Sequence, residues 1–240
     1  MRILAFDTAT PATVVAVAEL LPGASAPDGP AIDLRDDPAP GTRPNHTRRL
    51  LELIEQALER AGWSWDELDR IAVGIGPGTF TGLRIGIATA QALARSRGLP
   101  LVGTSTLQAL ALPATAARPD LGILAVLDAR RNEAFAAGWD AGSGPGRDVA
   151  VLPPSVLSPD ALEKAASQLA PGTLAVGDGA VKFAQNLRRF GLLIPPEDSE
   201  LHRISAVSHC RLAADLIPAE PAAVQPEYLR QPDAEIARRT

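Results

Sequence analysis

Residues 74 to 86 read Gly-Ile-Gly-Pro-Gly-Thr-Phe-Thr-Gly-Leu-Arg-Ile-Gly, and the rest of the chain is best understood from this segment. An apolar strand pattern precedes it, and a long alanine-rich helix pattern follows it. Glycine accepts positive φ angles and lets another group approach the backbone closely, while the start of a helix presents free N–H groups. The segment therefore predicts a strand-to-helix turn, which suits either a phosphate ligand or a tight connection that serves packing alone.

The spacing of the segment excludes two familiar phosphate-binding signatures. A Walker A loop ends in Gly-Lys-Ser/Thr, whereas the last turn glycine here is followed by Leu83 and Arg84. A dinucleotide fingerprint lies in an N-terminal βαβ unit and has an acidic residue about 20 residues later, and the glycines here meet neither condition. The segment is therefore neither a P-loop nor a dinucleotide-binding fingerprint.

Composition places the chain among ordinary globular proteins. It has 240 residues, of which 46% are hydrophobic and 21% charged, which favours one large domain or two lobes. The net charge of −5 is spread evenly, so the sequence shows no basic face that would hold RNA without a partner. Cys210 is the only cysteine, which excludes an intramolecular disulfide and a cysteine-based metal site. We expect a cytoplasmic protein, because no apolar run approaches the roughly 20 residues that span a bilayer.

The two halves of the chain show the same order of predicted elements: strand, strand, strand, helix, strand, helix. In the first half we expect strands at 2–7, 13–18, within 30–36 and at 70–75, and helices at 46–61, capped by Asn45, and at 82–97. In the second half we expect strands at 121–128, 132–139, 149–152 and 173–176, helices at 159–169 and 180–190, and a final helix at 205–217.

This duplication predicts an α/β fold with the two-lobed architecture of actin-like ATPases and sugar kinases, the ASKHA group. The acidic residue after the first strand, Asp7, is echoed by Asp128 in the second half. We expect lobes at 1–103 and 104–204, and a tail at 205–240 that packs back on the first lobe. A residual nucleotide would face the two acidic turns and the glycine segment, that is Asp7, Thr8, Gly76, Pro77, Gly78, Gly82 and Asp128. The interpretation we favour for Asp7 is that it accepts N–H bonds within its own turn.

Several segments, in order along nearly the whole chain, resemble the TsaB family, also called YeaZ. They are Asp7-Thr-Ala-Thr10, the segment 74–86, Leu127-Asp-Ala-Arg-Arg-Asn-Glu133, Gly177-Asp-Gly-Ala180 and Pro226-Glu-Tyr-Leu-Arg230. The resemblance implies a non-catalytic bacterial partner of the related enzyme TsaD. Together they make threonylcarbamoyladenosine, the modified adenosine beside the anticodon of tRNAs that read codons beginning with A.

The same resemblance sets expectations for partners and cofactors. It implies TsaE as a further member of the complex, a homodimer when the chain is isolated, contact with tRNA only through the complex, and no membrane association. It implies no cofactor for the isolated chain, with ATP at most at the interface of the complex. A different class of function remains as an alternative, an autonomous ATP-dependent kinase or carbamoyl transferase. That alternative needs a metal-holding carboxylate set, a base and a cationic clamp, and only the carboxylates can be named here.

The sequence departs from TsaD at the metal site. TsaD-like proteins follow the glycine segment with Gly-Val-Asn-His-Leu-Glu-Gly-His, whose two histidines bind a metal. Here Thr106 and Leu110 stand at the histidine positions, and neither side chain replaces an imidazole ligand. The three histidines of the chain, His46, His202 and His209, show no metal-ligand spacing. We therefore expect no metal site and no hydrolase triad, with His46 in a capping or interface role and His202 in a loop.

The helices at 46–61 and 82–97 are the predicted contact with TsaD. Small residues at four-residue spacing allow another helix to approach, and apolar residues beside them supply contact area. The predicted interface residues are Leu50, Ile54, Leu83, Gly86, Ile87, Ala90 and Ala94. The same face of the second helix is equally suited to packing on its own sheet, and the sequence leaves these two alternatives open.

Overall fold

A computed structural model describes residues 1–21, 23, 27–39, 41–146 and 149–230. Its strands are β1 Arg2–Asp7, β2 Thr13–Glu19, β3 Ile32–Asp36, β4 Arg70–Gly76, β5 Leu101–Ser105, β6 Ile123–Arg130, β7 Glu133–Trp139, β8 Leu152–Leu157 and β9 Leu174–Val176. Its α-helices are α1 His46–Ala61, α2 Phe80–Arg97, α3 Thr106–Ala117, α4 Pro159–Ala166, α5 Asp178–Lys182, α6 Ala184–Arg188 and α7 Ala206–Asp215.

The chain forms two compact units. Of the described residues, the first contains Met1–Ala109 and Ser205–Glu227, and the second contains Leu110–Ile204 and residues 228–230. The division after Ala109 falls inside α3, six residues later than the predicted limit at 103. Of the tail predicted at 205–240, residues 205–227 belong to the first unit, where helix α7 packs against the strands, while residues 231–240 lie outside the described residues.

Each unit is built on one mixed sheet, and four strands of the first sheet have the same topology as the four strands of the second. The strand order is β3-β2-β1-β4-β5 in the first unit and β8-β7-β6-β9 in the second. In both, the first three strands pair antiparallel, and the fourth runs parallel to the first. This repeat confirms the predicted duplication of strand, strand, strand, helix, strand, helix.

The core of the first unit lies between its sheet and the helices α1 and α2. Leu4 and Phe6 of β1 and Val73 of β4 are fully buried in one apolar cluster with the inner faces of both helices. Because side chains alternate along a strand, Ile3 and Ala5 point to the opposite face of the sheet. Helix α7 packs against β1 and β2, so the sheet is covered by helices and by the C-terminal segment.

The C-terminal residues of the first unit close its open sheet edge. Ala219 pairs with Leu101 of the edge strand β5, and the Ala219 N–H donates to the Leu101 carbonyl at 2.9 Å. Gln91 of α2 donates its side-chain N–H to the Val224 carbonyl at 2.9 Å. An edge strand with unpaired N–H and C=O groups invites aggregation, and this segment covers one. The side chain of Gln91 thus bonds to the segment around Val224.

Three local predictions are wrong, and one helix was not predicted. The third strand of the second half begins at Leu152, because two prolines are tolerated in a strand at a sheet edge. The predicted helix at 180–190 is two short helices that break at Phe183. Helix α3 was not predicted, since it is apolar on nearly all sides and contains Pro113. Asn45 precedes α1 without a side-chain capping bond.

Candidate functional site

The glycine segment lies against the turn that follows β1. The Thr8 hydroxyl donates to the Gly82 carbonyl at 2.7 Å, and the Thr79 N–H donates to the Ala9 carbonyl at 2.7 Å. A Cβ atom on Gly82 would lie 1.9 Å from the Thr8 carbonyl oxygen, and one on Gly78 would lie 2.4 Å from the Ala9 oxygen. The close approach that these glycines permit is therefore used by the chain's own backbone. Thr8, predicted to face a nucleotide, is buried by this contact.

Asp7 is a buried carboxylate whose two oxygens are both engaged. Its Oδ1 accepts the Ala9 N–H at 2.6 Å, and its Oδ2 accepts the Thr106 hydroxyl at 2.8 Å. The same Oδ2 lies 3.0 Å from Nε2 of His209. Room for the carboxylate depends on Gly74, since a Cβ atom there would lie 2.2 Å from the carboxyl group. The turn N–H bond matches the favoured interpretation of Asp7, while its contact with His209 was missed.

Nε2 of His209 lies beside a carboxylate oxygen of Asp7 but forms no well-aligned hydrogen bond with it. The two atoms are 3.0 Å apart, yet Nε2 makes no hydrogen bond of acceptable angle. Burial acts to raise the pKa of Asp7, but the contacts with His209, the Ala9 N–H and the Thr106 hydroxyl outweigh it, so the pKa lies below its ordinary value. Asp7 is therefore ionised at neutral pH.

Nucleotide-binding proteins of this fold group use the aspartate after the first strand to orient a metal-bound nucleotide. The residues present here do not fit such a group. Asp7 is 2% exposed, and its oxygens already accept bonds from its own turn and from Thr106 and face a histidine. Gly76 is joined to Pro77 by a cis peptide bond, and a Cβ atom on Gly76 would lie 3.0 Å from the Glu227 carbonyl oxygen. The first unit thus fills its own candidate phosphate site.

The corresponding turn of the second unit is also satisfied locally. Asp128 accepts the Arg130 N–H at 2.9 Å and the Lys182 ammonium at 2.8 Å. Its own N–H donates to Asp178 at 3.0 Å, and burial, together with the charge of Asp128, raises the pKa of Asp178. Residues 130 to 132 all have φ values between 50° and 63°, an uncommon run for residues other than glycine. Asp128 thus serves its own hairpin and a nearby lysine.

His202 supports the glycine turn of the second unit. The Gly177 N–H donates to Nδ1 of His202 at 3.1 Å, and Nε2 lies 3.2 Å from the Pro195 carbonyl. Since Nδ1 accepts, Nε2 carries the ring hydrogen and donates to Pro195. His202 was expected in a loop, but it lies buried in a short 3₁₀ helix. No spacing in the sequence connects it to Gly177, which lies 25 residues earlier.

The remaining histidine, His46, is also a buried residue of the first unit. Its Nδ1 lies 2.8 Å from the hydroxyl oxygen of Thr13, the first residue of β2. Burial lowers the pKa of His46, while the charges of Asp7 and Asp36 act to raise it. The capping or interface role expected for His46 is replaced by this internal hydrogen bond.

The face predicted for the interface packs within the first unit, which is the second of the two alternatives that the sequence left open. All seven of its residues are buried within the first unit: Leu50, Ile54, Leu83, Gly86, Ile87, Ala90 and Ala94. They pack under the sheet and between the two helices, so they offer no area to a partner. Gly86 is required by a contact within the chain, since a Cβ atom there would lie 2.4 Å from the Thr8 hydroxyl oxygen. The side of α2 that remains exposed carries Thr81, Arg84, Ala88 and Ala92.

The two positions that would carry the TsaD histidines have other roles here. Thr106 bonds to Asp7, and Leu110 is fully buried in α3. Within the ranges that the structure describes, no three or more His, Cys, Asp or Glu residues come together as metal ligands would. In the same ranges, no helix combines the length and the apolar character needed to cross a membrane.

Comparisons with known proteins identify the family. Residues 41–168 match the family model described as TsaD, tRNA N6-adenosine threonylcarbamoyltransferase. The tRNA threonylcarbamoyladenosine biosynthesis protein TsaB of Escherichia coli is 33% identical over 197 residues, 81% of this chain and 78% of that protein. A tRNA N6-adenosine threonylcarbamoyltransferase of Rhizobium leguminosarum is 48% identical over 69 residues, 29% of this chain and 19% of that protein.

Solved structures agree with these matches. The structure of YeaZ from Pseudomonas aeruginosa is 25% identical, has a TM-score of 0.74, and covers 95% of this chain and 99% of that one. This similarity, together with the duplicated sheets, confirms the predicted actin-like α/β fold. The chain belongs to the TsaB (YeaZ) family.

Proposed function

We propose that this chain is a non-catalytic subunit that binds a TsaD protein and supports it in forming threonylcarbamoyladenosine on tRNA. The observation that carries the proposal is the match of residues 41–168 to the TsaD family, since this range contains both α1 and α2. A TsaD chain would therefore present an equivalent pair of helices. Two related surfaces of this kind pack well around a pseudo-twofold axis.

The exposed side of α2 has the features of a helix-packing surface. Ala88 and Ala92 are exposed and lie one turn apart, which allows a second helix to approach closely. Leu51 of α1 leaves 47% of its surface exposed and adds apolar area. At the start of α2, the Arg84 guanidinium lies 3.7 Å from the centre of the Phe80 ring, and arginine and aromatic residues are frequent binding hot spots.

The support for a subunit role also comes from the state of the candidate catalytic groups. Asp7 is ionised, buried and surrounded by groups of its own chain. Thr106 and Leu110 stand where TsaD carries its metal ligands. These features disfavour an autonomous kinase or carbamoyl transferase. We assign no cofactor to the isolated chain, and we place any ATP requirement, the contact with TsaE and the contact with tRNA in the assembled complex.

A reconstitution tests the role directly. TsaD and TsaE of the same organism are incubated with tRNA and the threonylcarbamoyl donor, with and without this chain, and the modified nucleoside is measured after digestion. We expect product only when TsaD and this chain are both present, and no ATP turnover by this chain alone. Equal product without this chain, or steady ATP turnover by the isolated chain, would refute the proposal.

Substitutions on α2 test the surface separately. Ala88→Glu and Ala92→Glu place a charge on the exposed side, so we expect binding to TsaD to weaken at least tenfold, or about 1.4 kcal/mol. Ala116→Glu, an exposed alanine near the end of α3, is the matched control. Unchanged binding by both α2 variants would exclude this surface. Sedimentation of the isolated chain shows whether the same substitutions disrupt a homodimer.

A further inference from the structure

We propose that His209 is the resident counter-ion of Asp7, and that its imidazolium occupies the place beside this carboxylate that a metal-bound nucleotide needs. The inference concerns a buried cluster in the first unit formed by Asp7, Thr104, Thr106 and His209. It does not depend on binding to TsaD. It explains why a fold known from nucleotide-binding proteins can keep the aspartate after its first strand without using it for a nucleotide.

The cluster is built from four separate elements. Asp7 ends β1, Thr104 belongs to β5, Thr106 begins α3 and His209 lies in α7. Their side chains are between 0% and 2% exposed, so water does not screen or hydrate them. A carboxylate in such surroundings is strongly destabilised unless it has hydrogen bonds and an opposite charge. Thr106 and the Ala9 N–H supply the hydrogen bonds, and His209, whose Nε2 lies 3.0 Å from Oδ2, is placed to supply the charge.

The hydrogen-bond inventory of the ring supports the positive charge. Nε2 faces a carboxylate oxygen, which only accepts, so Nε2 carries a hydrogen. Nδ1 lies 2.7 Å from the Thr104 hydroxyl oxygen. That hydroxyl has a single hydrogen and donates it to the Val73 carbonyl at 3.2 Å. With that hydrogen on the bond to Val73, the hydroxyl accepts from Nδ1, and our proposal places a hydrogen on both ring nitrogens.

The position of the ring also closes the carboxylate to other cations. His209 lies 3.0 Å from Oδ2, while Oδ1 is taken by the turn of Ala9. A divalent cation bound to Asp7 would have to displace the ring or the turn. Asp33 is a second carboxylate within electrostatic range of His209, and it accepts bonds at the start of α7. His209 therefore belongs to a helix, α7, whose N-cap and first residues donate hydrogen bonds to Asp33.

Nuclear magnetic resonance of the intact chain tests the charge directly. Nitrogen shifts of the His209 ring distinguish the imidazolium, with two protonated nitrogens, from either neutral tautomer. At neutral pH we expect both nitrogens of His209 to be protonated. His202, whose Nδ1 accepts a hydrogen bond, is the internal control and is expected to be neutral with hydrogen on Nε2. A neutral His209 ring would overturn the proposal.

A double-mutant cycle tests the pairing. Asp7→Asn and His209→Gln each leave one charge of a buried pair without its partner, whereas the double variant leaves two neutral groups. We expect the unfolding equilibrium constant of the double variant to be at least tenfold smaller than the value obtained by combining the effects of the two single variants. Additive effects would contradict the pairing. If a single variant does not fold, the ring spectrum of the unsubstituted chain still decides.

Paramagnetic broadening tests the exclusion of metal. With millimolar Mn²⁺ we expect no broadening of the amide signals of Asp7 and His209. Exposed carboxylates such as Glu200, whose side chain is 81% exposed, should broaden and serve as the positive control. Saturable broadening at Asp7 would show that a cation enters beside the carboxylate and would overturn the proposal.

Discussion

The Thr8 hydroxyl donates a 2.7 Å hydrogen bond to the Gly82 carbonyl, and this bond joins the turn after β1 to the first turn of α2. The two residues are 74 positions apart in the chain. Their contact shows what the glycine segment does in this fold. It allows one part of the backbone to lie directly on another.

Substitution of Gly82 tests this close packing. In Gly82→Ala, the new Cβ atom would lie 1.9 Å from the Thr8 carbonyl oxygen, so the turn or the helix must move. We expect a loss of about 3 kcal/mol in the free energy of unfolding, measured with urea. Gly98→Ala is the control, because Gly98 has φ of +66° and no atom within 4 Å, and it should cost about 1 kcal/mol. Equal losses in both variants would mean that the contact with Thr8 is not tight.

The lowered pKa of Asp7 predicts a specific acid sensitivity. Asp7 is ionised above its unfolded pKa, near 3.8, in both the folded and unfolded chain, so its stabilising contribution is complete there. As the pH falls below 3.8 toward the lower folded pKa, the unfolded chain takes up the proton first and stability is lost. In Asp7→Asn, the loss of stability that this carboxyl group causes at acidic pH should be absent. The measurement is the urea midpoint of both proteins between neutral and strongly acidic pH. Parallel curves would contradict the assignment.

His202 should stabilise the glycine turn of the second unit. His202→Ala removes the acceptor of the buried Gly177 N–H, and an unsatisfied buried donor costs about 1–3 kcal/mol. His202→Asn keeps a side-chain oxygen near the position of Nδ1 and should recover part of the loss. Hydrogen exchange at the Gly177 amide is the local measurement, and we expect it to accelerate in the alanine variant. Unchanged exchange there would show that the ring does not hold this turn.

The stacked pair at the start of α2 should contribute to binding TsaD. Arg84→Ala removes the guanidinium that lies over Phe80, and Phe80→Ala removes its support. We expect each variant to weaken binding by about 1–2 kcal/mol, measured by calorimetry with purified TsaD. Arg95→Ala, on the last turn of the same helix, is the matched control and should change binding little. Loss of binding in the control alone would place the contact at the other end of α2.

The sequence predicted those features that depend on local patterns. Apolar periodicity located α1 at its observed limits and placed β4 and α2 within two residues of theirs. The repeated order of elements predicted the duplicated topology, because both halves carry the same alternation of strand and helix signals. The replacement of two histidines by Thr106 and Leu110 could be read directly against a related motif. These are properties of neighbouring residues, and a sequence displays them without a fold.

Periodicity identified the small, apolar side of α2 but could not decide whether that side faces its own sheet or a partner. The fold decided it, because residues distant in the chain, such as Thr8 beside Gly86, occupy that side. The pairing of Asp7 with His209 joins residues about 200 positions apart, and no local pattern connects them. Burial and close approach are properties of the packed chain and not of neighbouring residues. The sequence therefore established the family and the topology, while only the tertiary structure showed which side chains are buried in contacts within the chain.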